Sequence, residues 1–179
     1  MIVRHCSPTL AGIKTGSLFN CPFRSKEELI GEINRLNRAL AKKGLRILPL
    51  RCTAGKALIY IYRPSRLQND LLCEDVAPLL RKHGYPREAP DRCVLRLMDR
   101  LRDSSDFPHE IGLFLGYPPE DVLGFIEHGA ADAKCVGCWK VYGDEEKAQA
   151  LFRAYAQCTA EYTSRLFHGS SVERLAVTA

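Results

Sequence analysis

Leu45-Arg46-Ile47-Leu48-Pro49-Leu50-Arg51-Cys52-Thr53-Ala54-Gly55-Lys56-Ala57-Leu58-Ile59-Tyr60-Ile61-Tyr62-Arg63 is the stretch that decides the fold class. Two β-like runs, residues 45–53 and 56–63, flank Ala54-Gly55, a pair suited to a tight turn, so together they read as a hairpin. Pro49 has no N–H to give to a ladder, which makes the first run an edge strand or one with a bulge. An antiparallel hairpin needs further partners and a covering layer to be stable, and the flanking sequence is mostly helical in pattern.

Upstream, Ser25-Lys26-Glu27-Glu28 is a capping box opening an amphipathic helix with Leu29, Ile30, Ile33, Leu36 and Leu40 on one face, closed by Lys42, Lys43 and Gly44. Residues 9–19 also read as a helix, with Ser7 as N-cap and Pro8 as first helical residue. Downstream of the hairpin, Leu67, Leu71, Leu72, Val76, Leu79 and Leu80 repeat at helical spacing, with a kink or break expected at Pro78. Another helix is expected over 91–102, then two short ones within 108–128, separated at Gly116-Tyr117-Pro118-Pro119. Residues 135–142 read as a third strand, followed by a long helix carrying Ala148, Leu151, Phe152, Tyr155, Thr159, Tyr162 and Leu166. The expectation is one α+β domain over residues 1–179, with a small, mostly antiparallel sheet of about three strands packed against several helices.

Composition narrows the class. With 46% hydrophobic and 26% charged residues, the chain has the balance of a globular protein. No apolar run approaches the roughly 20 residues that span a bilayer, and the N-terminus lacks a secretory pattern. Eight cysteines scattered through apolar stretches suit reduced thiols, and a cytoplasmic location is expected. Charge is uneven: residues 1–90 hold 16 Lys and Arg against 7 Asp and Glu, whereas residues 91–179 hold 10 against 14. A basic half suits an anionic small molecule or an acidic protein partner.

Three constellations could carry chemistry. In Arg4-His5-Cys6-Ser7-Pro8-Thr9, a cysteine just outside a helix N-terminus and beside Arg4 and His5 would favour its thiolate. Cys6 is thus the candidate nucleophile, with His109 as base and Glu110, or Asp106, as orienting carboxylate; Arg4, His5, Ser7 and Thr9 would line the ligand site. Second, Cys135-Val136-Gly137-Cys138 has the spacing of a redox or half-zinc pair, but no second pair accompanies it and extended geometry would hold the thiols roughly 10 Å apart. Third, residues 109–126 have helix-turn-helix spacing, yet Glu120, Asp121 and Glu127 on the second helix argue against DNA.

His5-Cys6-Ser7-Pro8-Thr9-Leu10-Ala11-Gly12, Pro108-His109-Glu110-Ile111-Gly112-Leu113-Phe114-Leu115-Gly116-Tyr117-Pro118 with Glu120-Asp121-Val122, and Trp139-Lys140-Val141-Tyr142, in this order, resemble the bacterial family designated domain of unknown function 3793. The resemblance covers nearly the whole chain and implies no reaction and no catalytic residues. Three readings stay open: a thiol-dependent enzyme built on Cys6 and His109, a non-catalytic module for an anionic ligand or acidic protein, and a Cys/His binder of a metal or cofactor. The cofactor and the oligomeric state are unknown at this stage.

Overall fold

The computed structural model describes residues 1–86, 89–103 and 107–178. The chain opens with helix α1 (Ile2–Leu10), strand β1 (Gly16–Pro22) and helix α2 (Lys26–Leu40), followed by the hairpin of β2 (Arg46–Thr53) and β3 (Lys56–Tyr62). Helices α3 (Pro64–Leu72), α4 (Ala77–Lys82), α5 (Pro90–Asp103), α6 (Ile111–Phe114) and α7 (Pro119–His128) come next. A two-stranded ribbon, β4 (Cys135–Val136) and β5 (Lys140–Val141), leads into α8 (Glu145–Phe167) and α9 (Val172–Leu175).

Strand β3 is the centre of a three-stranded antiparallel sheet ordered β1-β3-β2. Its alternation serves two cores at once. Ala57, Ile59 and Ile61 face α1, α2 and α9, meeting Cys6, Leu10, Leu36 and Leu175. Tyr60 and Tyr62 face the opposite way, onto Leu67 of α3, Leu80 of α4, Leu97 of α5 and Phe114 of α6. A strand buried on both faces reads as a continuous apolar run, which is what residues 57–62 present. Each fully buried side chain of this size contributes roughly 1.5–3 kcal/mol, so the hairpin draws its stability from both helical layers. Strand β2 is an edge, and its register shifts between Pro49 and Arg51, the position where proline was expected to interrupt the ladder.

The third strand of the sheet is not the expected one. Residues 16–19, read as the end of a helix, belong to β1, and the first helix lies earlier than expected, over Ile2–Leu10 with Pro8 inside its last turn. The apolar stripe of Val3, Cys6 and Leu10 begins before the proline, and its burial outweighs the preference of proline for a helix start. Glycine is required where β1 begins: a Cβ at Gly16 would stand 2.6 Å from the Phe114 carbonyl oxygen and from the Tyr60 ring. Residues 135–142 are not one strand but a ribbon that doubles back, with Gly137 N–H bonded to the Trp139 carbonyl at 2.9 Å.

The other expectations hold in outline. Ser25 caps α2 by accepting from Glu28 N–H at 3.1 Å, although Ile30 faces solvent instead of the core. The helical stretch after β3 breaks at Cys73, and Pro78 sits in the first turn of α4, where its missing N–H costs nothing. Gly112 lets α6 and α7 touch, since a Cβ there would lie 2.8 Å from Val122. On α8, Ala148, Tyr155 and Tyr162 are buried while Leu166 is exposed.

Arg63, only 1% exposed, ties the layers together. Its guanidinium donates to the carbonyls of Thr9 at 2.8 Å, Leu10 at 2.8 Å, Lys43 at 3.1 Å and Val177 at 2.9 Å. One buried cation thus joins the end of α1, the turn after α2 and the end of the described chain.

Candidate functional site

The turn that joins α1 to β1 positions the most unusual side chain in the molecule. Ile13 and Lys14 both donate their N–H to the Pro8 carbonyl, at 3.0 and 3.1 Å, closing a tight bend that turns Lys14 inward. Lys14 is 9% exposed. Its ammonium donates to the Gly16 carbonyl at 2.5 Å and lies 5.1 Å from the centre of the Tyr117 ring. Among the described residues no carboxylate pairs with it. Burial lowers its pKa to about 8, an effect that the neighbouring Cys6 and Cys138 oppose.

Lys14 stands at the wall of a cleft of about 820 Å³. α1 contributes His5 and Pro8, β1 contributes Ser17 and Leu18, and Leu115 and Tyr117 come from the α6–α7 turn. The facing wall is one side of α8, where Phe152, Tyr155, Ala156, Thr159, Ala160 and Thr163 recur at helical spacing. Cys138 closes the rim. The ribbon is held in place by Asp121 of α7, which is buried and fully hydrogen-bonded: it accepts from Trp139 Nε1 at 2.6 Å, Tyr142 N–H at 2.7 Å and Gly143 N–H at 2.8 Å. That clamp sets the Trp139 ring against Tyr117 at 4.7 Å and Phe152 at 4.5 Å, so the single tryptophan packs on two cleft residues. Burial raises the phenols of Tyr117 and Tyr155 to about 12, which keeps both as neutral hydrogen-bonding groups.

The residues of the first constellation are dispersed. Cys6 lies in the middle of α1, not ahead of a helix, and is fully buried. Desolvation raises its thiol to about 12, with Lys14 and Ser17 acting weakly in the other direction. The helix-terminus argument for a thiolate therefore has no counterpart in the fold. Ser7 is also buried, bonding back to the Val3 carbonyl inside α1, and Thr9 shares a hydrogen bond with Ser17 at 2.9 Å. Arg4 is exposed, while His5 stacks on Phe19 at 5.7 Å and lines the cleft.

His109 and Glu110 belong to other surroundings and point apart. His109 is exposed, set against Phe125 at 4.9 Å and Phe107 at 6.2 Å, on a smaller apolar pocket of about 290 Å³ that also meets Trp139 and Lys140. Glu110, 2% exposed, turns inward to receive Tyr85 Oη at 2.9 Å and Arg100 Nε at 2.5 Å. Its carboxylate raises the Tyr85 phenol further above the ordinary value than burial alone does. Asp106, the alternative orienting group, lies outside the described residues.

Cys135 and Cys138 are separated by the turn of the ribbon, so the estimate of their distance from extended geometry does not apply. Their environments differ: Cys135 neighbours Glu145 and Gln149 of α8, and Cys138 neighbours Lys14. Cys6, Cys21, Cys52, Cys93, Cys135, Cys138 and Cys158 are free thiols, and among the described residues no group of three or more His, Cys, Asp or Glu side chains could hold a metal ion. Again among the described residues, no helix is long and apolar enough to cross a membrane.

Fold and site together define an α+β protein in which helices cover both faces of a small antiparallel sheet and a cleft with a buried amine opens between α1 and α8. The chain belongs to the family described as protein of unknown function (DUF3793), whose model matches residues 2–176. No curated protein matches the chain, and neither does any solved structure.

Sequence reasoning missed Lys14. Between Ile13 and Thr15 it looks like an ordinary surface lysine, and the groups found beside it, Tyr117 and Cys138, come from more than about 100 positions away. The local signal is the glycine on either side, Gly12 and Gly16, which allows a sharp return of the chain.

Proposed function

We propose that the protein binds a small amphipathic monoanion, a carboxylate with an aliphatic or aromatic tail, in the cleft between α1 and α8. The carboxylate pairs with the Lys14 ammonium, and the tail runs along Leu18, Leu115 and Phe152. The observation that carries this reading is a buried cation with no carboxylate partner among the described residues, at the wall of an open, largely apolar cleft. Both neighbouring thiols have their pKa raised by burial, so neither supplies the missing negative charge. One cation balances one negative charge, which favours a carboxylate over a phosphate dianion. The size suits such a ligand, since binding clefts commonly enclose about 300–1,000 Å³.

A thiol enzyme built on Cys6 has less support, because the sulfur is buried and no imidazole touches it. An acidic protein partner on the basic half of the chain has no specific observation in its favour; Arg35, for one, already pairs with Glu32 at 2.8 Å and Glu173 at 3.6 Å. A cytoplasmic location remains part of the proposal, supported by the free thiols of Cys6, Cys21, Cys52, Cys93, Cys135, Cys138 and Cys158.

The test is a titration with octanoate followed by the emission of Trp139, at neutral pH. A saturable change is expected, weakened by about tenfold or more in Lys14→Met, equivalent to about 1.4 kcal/mol. No saturable change, or equal affinity in the variant, overturns the proposal.

A further inference from the structure

We propose that the natural ligand carries a carbonyl beside its carboxylate and that the Lys14 amine condenses with it, making the cleft a site of imine formation for 2-oxo acids. This rests on the reading of the cleft as a monoanion site.

The arrangement of groups supports it. An amine that only bound a carboxylate would be served as well by the fixed charge of arginine, whose guanidinium recognises carboxylates in two-point fashion. Lysine can lose its proton, and here the surroundings promote that loss: the side chain is buried, and among the described residues no carboxylate holds the proton on it. The Gly16 carbonyl accepts one hydrogen from Nζ and fixes the direction of the nitrogen. Ser17 and His5 line the same cleft and can exchange protons with a reacting oxygen.

The chemistry balances without an outside oxidant or reductant. The nitrogen lone pair forms a bond to the ligand's carbonyl carbon, the carbonyl oxygen takes up a proton, and the amine gives one up, leaving a carbinolamine. The C–O bond then breaks, the oxygen departs as water with a second proton, and a C=N bond remains. Protonation of that nitrogen restores the positive charge, so the ion pair with the adjacent carboxylate survives condensation. The cleft therefore does not have to accommodate a change in net charge.

The experiment uses the full-length protein, 2-oxooctanoate and cyanoborohydride, with peptide mass mapping. The Lys14 peptide is expected to gain the mass of the oxo acid less one oxygen atom, at a rate more than about tenfold that of the exposed Lys26, Lys42 and Lys56, because a desolvated amine is the better nucleophile near neutral pH. Excess octanoate should suppress the labelling. Lys14→Arg removes the nucleophile, so the label trapped per molecule should fall to that of the exposed lysines. Labelling no faster at Lys14 than at the exposed lysines overturns the proposal. If octanoate nonetheless changes Trp139 emission, imine formation alone has failed. If octanoate has no effect while Lys14 is selectively labelled, imine formation stands and the carboxylate reading falls.

Discussion

Three sites in this molecule, around Glu110, Arg63 and Lys14, bury charge in two different ways. Around Glu110, the carboxylate is matched by Arg100 and by the Tyr85 hydroxyl, and around Arg63 the guanidinium is matched by four backbone carbonyls. At Lys14, an ammonium of similar burial has one carbonyl and the face of one ring. A buried ion is tolerated when partners replace its lost water; burial lowers the pKa of both Arg63 and Lys14, so the two differ in their partners and not in the presence of a shift. The first two sites are complete as they stand. The third has no anion among the described residues and opens on a cleft.

The sharpest way to break the comparison is at Arg63. Arg63→Met should destabilise the fold by about 4 kcal/mol, because several buried carbonyls lose their donor at once, and a urea denaturation curve would read it as a lower midpoint. Glu110→Leu should cost about 3 kcal/mol, since it leaves the Arg100 charge and the buried Tyr85 hydroxyl without their acceptor. An unchanged midpoint in either variant would mean that these networks are not what holds the buried charge.

Lys14→Met should act in the opposite direction. Folded Lys14 titrates at about 8, below its ordinary 10.5, so between these values only the unfolded chain holds the proton, and stability rises with pH. Below about 8 the folded state bears the full penalty of a buried ammonium. The variant removes that penalty and should be more stable at pH 7 by on the order of 2 kcal/mol, after allowing for the lost bond to Gly16. The gain should shrink as pH rises past 8 and vanish above about 10.5. A variant less stable than the parent at pH 7 would class Lys14 with Arg63, as a structural cation.

The same contrast explains what was legible in the sequence. The β2–β3 hairpin was readable because its apolar runs, two-residue turn and single proline are local signals, and the Ser25 cap of α2 was readable for the same reason. β1 was hidden because Gly16, Asn20 and Pro22 are poor strand residues alone and are held extended by pairing with β3. Ser7-Pro8 carried a true local preference for a helix start that the buried stripe of Val3, Cys6 and Leu10 overrode. His5, read as a ligand-site residue, lines the cleft, whereas Cys6, read as the nucleophile, is fully buried in α1. Cys6 is enclosed by the core residues under the sheet, and Lys14 meets Tyr117 and Cys138, surroundings that no window of sequence around position 6 or 14 contains.

The central claim is that Lys14 is a buried amine awaiting a negative charge, and its own titration tests this most directly. The Cε resonances of 13C-labelled lysine, assigned with Lys14→Arg, would be followed against pH with and without saturating octanoate. The account predicts a Lys14 midpoint near 8 that moves upward when octanoate binds. A midpoint at the ordinary 10.5, or one near 8 that octanoate leaves in place, would contradict it.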